Sequence, residues 1–180
     1  MLLNRNAFLR GGAALAAIWT ASPASAAEPV KILFVDTGNT GRSLMAETIA
    51  RALAEKRHMP LAVISRGLDV DPFDEMPEPN ALALMKARGL DVAGHRARRL
   101  KAADAAHADL ILTMTPAHAD KVVALYPEAR AKVFTLARYA AGLDEPIPDA
   151  WGKPMTVYRQ VVAQLERLVP LALAKASAGR

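Results

Sequence analysis

The stretch Lys31–Glu47, KILFVDTGNTGRSLMAE, decides the fold. Ile32–Val35 is a short apolar run rich in β-forming residues, which is typical of a buried parallel strand. Small or turn-prone residues fill positions 36–41, and a helical pattern of apolar residues begins after Arg42. A strand, a tight loop and a helix N-terminus form an anion site, because backbone N–H groups converge at the positive end of the helix. Arg42 adds a bidentate donor for an oxyanion. The alternative is an ordinary turn with no ligand.

The frame from Asp36 to Ser43, DTGNTGRS, resembles the phosphate-binding loop of the low-molecular-weight protein-tyrosine-phosphatases. The signature of that family is Cys, five residues, Arg, Ser. Two positions depart from the family pattern: Asp36 stands at the position of the nucleophilic cysteine, and Gly41 at that of a frequent second cysteine. The resemblance implies a phosphate-binding loop made of Thr37, Gly38, Asn39, Thr40, Gly41, Arg42 and Ser43.

The rest of the chain alternates predicted strands and helices. We predict strands at 32–35, 61–65, 108–114 and 132–136, and helices at 43–57, 81–88, 116–125 and 155–174. Between them, Asp69–Pro79 holds three prolines and five acids, and we expect a solvated loop. The alternation predicts an α/β fold with a parallel sheet covered by helices on both faces. The resemblance covers residues 31–175 and implies a three-layer architecture with four parallel strands.

The N-terminus has the pattern of a secretory signal peptide, which we place at residues 1–26. Arg5 and Arg10 precede a short apolar run, and Ala24–Ala26 provides an A-x-A cleavage site. The run is too short to span a membrane as a stable helix. We therefore expect a single phosphatase-like domain at 27–180, without a membrane span, in a bacterial periplasm. The export route is either Sec or a degenerate twin-arginine route. The alternative to a cleaved signal peptide is a retained amphipathic anchor.

Composition excludes several classes of function. The 180 residues include no cysteine, so disulfides and thiol chemistry are excluded. The net charge is +5, and a cluster of basic residues at 96–101 has no interleaved aromatic residues, so we expect no nucleic-acid partner. His58, His107 and His118 lack the spacing of metal ligands, and we expect them to lie on the surface. We therefore predict no metal site.

A second family hallmark is a late Asp-Pro-aromatic-Gly followed by a tyrosine. Here the chain reads Asp149-Ala150-Trp151-Gly152, and Tyr158 lies seven residues after the aromatic residue. The resemblance implies that Asp149 is the general acid and then the general base, a role that needs a carboxyl group close to the scissile oxygen. Trp151 would then form a wall of the pocket. The alternatives are a turn residue for Asp149 and a core tryptophan.

In the family, a hydrogen-bonded network supports the loop. The matching residues are Asn39, Ser43, Ser65 and His95. The resemblance implies that they hold the loop in a strained shape, which asparagine tolerates better than most residues. Thr37 resembles the arginine-phosphatase branch, since tyrosine-directed members usually carry a branched apolar residue there.

Asp36 decides the chemistry. A thiolate nucleophile is soft and is stabilised by the N–H groups of the loop. We expect a carboxylate to be stabilised in the same loop and to pair with Arg42. A phosphate about 3 Å from Asp36 would then experience a repulsion of about 5 kcal/mol at an effective dielectric constant near 20.

Two interpretations of the site follow. In the first, the protein is a pseudophosphatase that binds an anion or a partner. In the second, it is an active phosphomonoester hydrolase: Asp36 attacks phosphorus, Arg42 holds the phosphoryl group, and Asp149 is the acid and base. The second chemistry normally recruits a divalent cation; otherwise we expect no cofactor. In both, the expected partner is a phosphate-bearing protein or a small phosphate ester.

Overall fold

The computed structural model describes residues 28–179, so the predicted signal peptide lies outside the described residues. The strands are β1 (Val30–Asp36), β2 (Leu61–Gly67), β3 (Leu110–Thr113) and β4 (Val133–Thr135). The helices are α1 (Arg42–Lys56), α2 (Pro79–Lys86), α3 (Ala102–His107), α4 (Pro116–Leu125), α5 (Leu136–Ala141) and α6 (Met155–Ala178), and a 3-10 helix spans Pro127–Lys132.

The four strands form one parallel sheet in the order β2-β1-β3-β4. Side chains alternate along β1, and both of its faces are buried. Ile32 and Phe34 belong to a core formed with α1, α2, α5 and α6, whereas Leu33 and Val35 pack with residues of α3 and α4 on the opposite face. An apolar run without polar alternation is what a strand covered on both faces requires. The predicted three-layer α/β architecture is confirmed.

Most predicted elements agree with the structure to within a few residues, and the bounds of α4 agree fully. The second helix, predicted at 81–88, spans Pro79–Lys86 in the structure, with Glu78 at its N-cap. Helices α3 and α5 were not predicted, because six residues are too short to display a helical apolar period. Within residues 28–179, no helix combines the length and apolarity that crossing a membrane requires.

The topology determines where a site can form. Strand β1 lies inside the sheet, and its carboxyl end leads directly into residues 37–41 and then α1. The main-chain N–H of Met114, just after β3, donates to the carbonyl oxygen of Val35 at 3.1 Å, so these strand ends meet at one edge. Ligands of open parallel sheets bind at this carboxyl edge.

Candidate active site

The carboxylate of Asp36 lies inside the loop that follows β1. Its side chain is almost fully buried, since the residue is 3% exposed. One carboxylate oxygen accepts the N–H of Asn39 at 2.7 Å, and the other accepts the N–H of Ser43 at 2.9 Å. Ser43 lies in the first turn of α1, where the helix end carries partial positive charge. The loop therefore already stabilises one anion, and that anion belongs to the protein.

Other N–H groups of the loop stay available. Gly38, Thr40, Gly41 and Arg42 line a cleft at the carboxyl edge of the sheet. In the described part of the chain, their main-chain N–H groups donate to no protein acceptor. Converging N–H groups of this kind are the donors that bind phosphate and similar oxyanions. The loop therefore still offers an anion site next to Asp36.

Asn39 holds the loop in place through hydrogen bonds to residues outside it. Its backbone is left-handed, with a φ of 61°. Its side-chain amide donates to Ser43 Oγ at 2.9 Å and Ser65 Oγ at 2.7 Å, and its Oδ1 accepts the N–H of Arg98 at 3.0 Å. His95 Nε2 lies 2.7 Å from the carbonyl oxygen of Asn39. The structure thus brings together all four residues of the expected network.

Arg42 pairs with Asp149 across the cleft. Its guanidinium lies 3.1 Å from Asp149 Oδ1 and also donates to the carbonyl oxygen of Ile147 at 3.2 Å. The expected ion pair between Arg42 and Asp36 is therefore wrong. Backbone N–H groups satisfy both oxygens of Asp36, while the loop before α6 brings Asp149 to the arginine. The side chain of Asp149 stays 64% exposed at the mouth of the cleft.

The cleft has a volume of about 290 Å³ and an acidic lining. Trp151 and Tyr158 contribute aromatic walls; Trp151 is 65% exposed, so it is not a core tryptophan, whereas Tyr158 is buried. Arg42 is the one basic residue among the described residues that line it. The acidic lining residues are Asp36, Asp69, Asp71, Asp74, Glu78 and Asp149.

Comparison with known proteins identifies the family of this fold and loop. The family model for low molecular weight phosphotyrosine protein phosphatases matches residues 31–177. The chain belongs to this phosphatase family. The family and the fold type predicted from the sequence are thereby confirmed.

Relatives named as arginine phosphatases are among the most similar members of the phosphatase family. The protein-arginine-phosphatase of Geobacillus stearothermophilus is 39% identical over 142 residues, which cover 78% of this chain and 92% of the relative. The solved structure of the YwlE arginine phosphatase from that organism matches with a TM-score of 0.76 at 35% identity, covering 84% of this chain and 95% of the other. A Cys-to-Ser mutant of YwlE with a phosphorylated active-site serine matches with a TM-score of 0.77 at 30% identity, covering 81% and 94%.

Glu78 is a phosphatase-cleft residue that sequence reasoning missed. Its Oε1 accepts a hydrogen bond from Thr40 Oγ1 at 3.3 Å, and its main-chain N–H donates to the carbonyl oxygen of Thr40 at 3.0 Å. Burial raises the pKa of Glu78 to about 7; the Thr40 hydrogen bond and Arg42 oppose the shift, and Asp36 and Asp149 add to it. The expectation of a simply solvated loop at 69–79 is therefore wrong at its end. The one signal in the sequence was that Glu78 directly precedes Pro79, a proline at the first position of a helix.

His118 is the second missed residue. It is half-buried, and its Nε2 lies 3.0 Å from Thr37 Oγ1, so its expected place on the surface is wrong. His58 and His107 are exposed, as expected. Burial lowers the pKa of His118, and Arg42 lowers it further. The signal available in the sequence was its position near the start of the helix that follows β3, at the ligand-binding edge.

The cleft does not have the donor arrangement of a metal centre. Among the residues that the structure describes, no three His, Cys, Asp or Glu side chains are placed to hold one ion. Asp36 and Asp149 are also engaged, Asp36 by main-chain N–H groups and Asp149 by Arg42.

Proposed function

We propose that this protein is an exported phosphatase homologue that binds an oxyanion in its loop and turns over phosphate esters little or not at all. The observation that carries the proposal is the carboxylate of Asp36, which accepts the N–H groups of Asn39 and Ser43 at 2.7 and 2.9 Å. Asp36 stands at the position where the family resemblance puts the cysteine nucleophile.

The loss of turnover follows from the chemistry of that carboxylate. Both of its oxygens are hydrogen-bonded, which stabilises the anion and makes it a poorer nucleophile. Its negative charge also opposes the approach of a phosphate group. The 180 residues contain no cysteine that could take over the reaction. The route through a cysteinyl phosphate is therefore closed.

The retention of binding rests on the remainder of the loop. The N–H groups of Gly38, Thr40 and Gly41 are free of protein acceptors within residues 28–179, and the guanidinium of Arg42 lies beside them at the cleft. The network around Asn39 keeps the loop in shape. A left-handed non-glycine residue such as Asn39 is typical of ligand-binding sites, which supports a loop that still binds an anion.

A second candidate function is hydrolysis with Asp36 as the nucleophile. A carboxylate oxygen of Asp36 would form the bond to phosphorus, the ester bond would break, and a protonated Asp149 would give its proton to the leaving oxygen. Water, deprotonated by Asp149, would then attack phosphorus, break the bond to Asp36 and release phosphate, which restores the carboxylate. The YwlE structure with a phosphorylated serine favours this candidate, since an oxygen atom at a related active site has accepted a phosphoryl group. The hydrogen bonds to both oxygens of Asp36 disfavour it, because they lower the nucleophilicity of the carboxylate.

The names of the relatives suggest the ligand. Similar members are called protein-arginine-phosphatases, so a phosphorylated protein side chain is the first ligand to consider, and a small phosphate ester the second. We place the protein in the periplasm because of the signal peptide predicted at residues 1–26. A loop without cysteine suits that compartment, since it cannot be silenced by oxidation.

Phosphate release tests the proposal. The purified protein is assayed with aryl phosphate, phosphotyrosine and phosphoarginine from acid to neutral pH, with and without magnesium, beside Asp36→Asn. We expect no release above that of the Asp36→Asn variant under any condition. Release that disappears in Asp36→Asn would establish Asp36 as the nucleophile and overturn the proposal in favour of the second candidate.

A further inference from the structure

The carboxyl group of Glu78 packs against the loop at Gly41, a residue that has no side chain. A Cβ atom placed on Gly41 would lie 2.6 Å from Glu78 Oε1, so the carboxyl group occupies the space that any other residue at position 41 would need. The hydrogen bonds to Thr40 fix it there from both its side chain and its backbone. The other oxygen, Oε2, is buried and has no hydrogen-bond partner in the described part of the chain.

The charges that face Glu78 come from three elements. Asp36 approaches from the end of β1 and Asp149 from the loop before α6, and both are negative. Arg42 from α1 is the positive group, and Asp149 already pairs with it at 3.1 Å. An ionised Glu78 therefore adds a third negative charge around one arginine, in a half-buried position where water screens poorly.

From this packing we infer that Glu78 makes oxyanion binding in the cleft depend on a proton: the neutral carboxyl group admits the anion, and the ionised carboxylate excludes it. The inference rests on the proposed function, since it concerns the same oxyanion site. The neutral form carries no charge and can donate as well as accept a hydrogen bond, whereas the carboxylate only accepts. The ionised form repels a dianion in the cleft that Glu78 lines.

The pH range of this effect is set by the raised pKa of Glu78, about 7. Below that value most molecules have a neutral Glu78 and bind the anion. Above it, each further pH unit removes about nine-tenths of the competent form, so affinity falls about tenfold per unit. The switch lies in the neutral range, where an ordinary glutamate would already be ionised throughout.

Sulfate is a suitable probe, because it is tetrahedral and its charge is constant across the neutral range. Its dissociation constant is measured by isothermal titration calorimetry from about pH 6 to about pH 8.5, for the native protein, Glu78→Gln and Asp74→Asn. Gln has the shape of neutral Glu and can keep the contact with Thr40. Asp74 lines the same cleft but has an exposed side chain, so its variant removes one negative charge without touching the loop.

We expect native affinity to fall about tenfold from pH 7.5 to pH 8.5, with the same fall in Asp74→Asn. In Glu78→Gln, affinity is expected to change less than about twofold across this range, and to exceed the native value about 30-fold at pH 8.5. Equal pH dependence in the native protein and Glu78→Gln would overturn the inference and leave the proposed oxyanion site intact. Absence of sulfate binding in all three proteins at every pH would overturn both.

Discussion

The loop after β1 holds the carboxylate of Asp36 by main-chain hydrogen bonds within an intact family fold. The N–H groups of Asn39 and Ser43 that would stabilise a thiolate also stabilise a carboxylate, since both are anions at the N-terminus of α1. The carboxylate differs in its nucleophilicity and in having a second oxygen, which is bonded here as well. A carboxylate at position 36 is therefore compatible with the local structure, and under the proposed function it is unfavourable for the reaction.

Asn39 is the residue on which the loop depends most. We expect Asn39→Ala to lower the free energy of unfolding by about 3 kcal/mol, since it loses three hydrogen bonds and places a Cβ-bearing residue without a polar side chain at positive φ. Urea unfolding followed by circular dichroism measures the change.

Asn80→Ala is the matched control for that prediction. Asn80 lies in α2 and makes one exposed hydrogen bond, to the carbonyl oxygen of Lys153 at 3.2 Å. We expect its loss to change the free energy of unfolding by less than about 0.5 kcal/mol. Equal destabilisation by the two substitutions would show that the network around Asn39 does not support the loop as described.

At the scale of elements, the segment before α2 packs on the phosphatase loop, and this contact gives Glu78 its properties. The absence of a side chain at Gly41 lets the two segments approach. Burial in that contact is the main cause of the raised pKa of Glu78. The pKa of Glu78 therefore depends on the close contact between its carboxyl group and Gly41.

Gly41→Ala tests that coupling. The added methyl group would displace the Glu78 carboxyl group toward water, so we expect the pKa of Glu78 to fall from about 7 toward its usual value of 4.5. A carboxyl-detected NMR titration of the side chain measures the pKa.

Gly38→Ala is the control, since a Cβ atom there would make only an ordinary contact of 3.5 Å with Thr40 Oγ1. We expect it to leave the pKa of Glu78 unchanged. A pKa near 7 that persists in Gly41→Ala would contradict the account of this contact.

The sequence predicted the elements well where the residues that form the fold and the site are neighbours in the chain. The apolar run of β1, the small residues after it and the first residues of α1 are adjacent in the chain, so their pattern predicts both the fold and the anion loop. Helix α4 was equally clear, because Pro116 marks its start. Glu78 and His118 lie far along the chain from the loop residues that they contact, and no local pattern reports a contact made by tertiary packing.

For the molecule as a whole, the sheet explains why the site residues converge although they are dispersed in sequence. The loop after β1, the start of α4 and the segments before α2 and α6 meet at the carboxyl edge, and each contributes to the site. The charge of the cleft is likewise a property of the assembled fold. Its acidic lining comes from β1 and two separate loops, so sequence composition, with a net charge of +5, gave no indication of it.

The central claim is that an intact phosphatase scaffold has lost its nucleophile. It is tested most directly by the rate of p-nitrophenyl phosphate hydrolysis in Asp36→Cys, compared with the native protein and with Asp36→Cys/Asp149→Asn. A thiolate at position 36 would accept the N–H groups that Asp36 accepts now.

We predict that Asp36→Cys hydrolyses the ester at least about 100-fold faster than the native protein, which corresponds to about 3 kcal/mol of transition-state stabilisation. Loss of the general acid in the double variant should lower the rate again, by about 100-fold or more. A folded Asp36→Cys protein that stays inactive, or a native protein that matches its rate, would contradict the account.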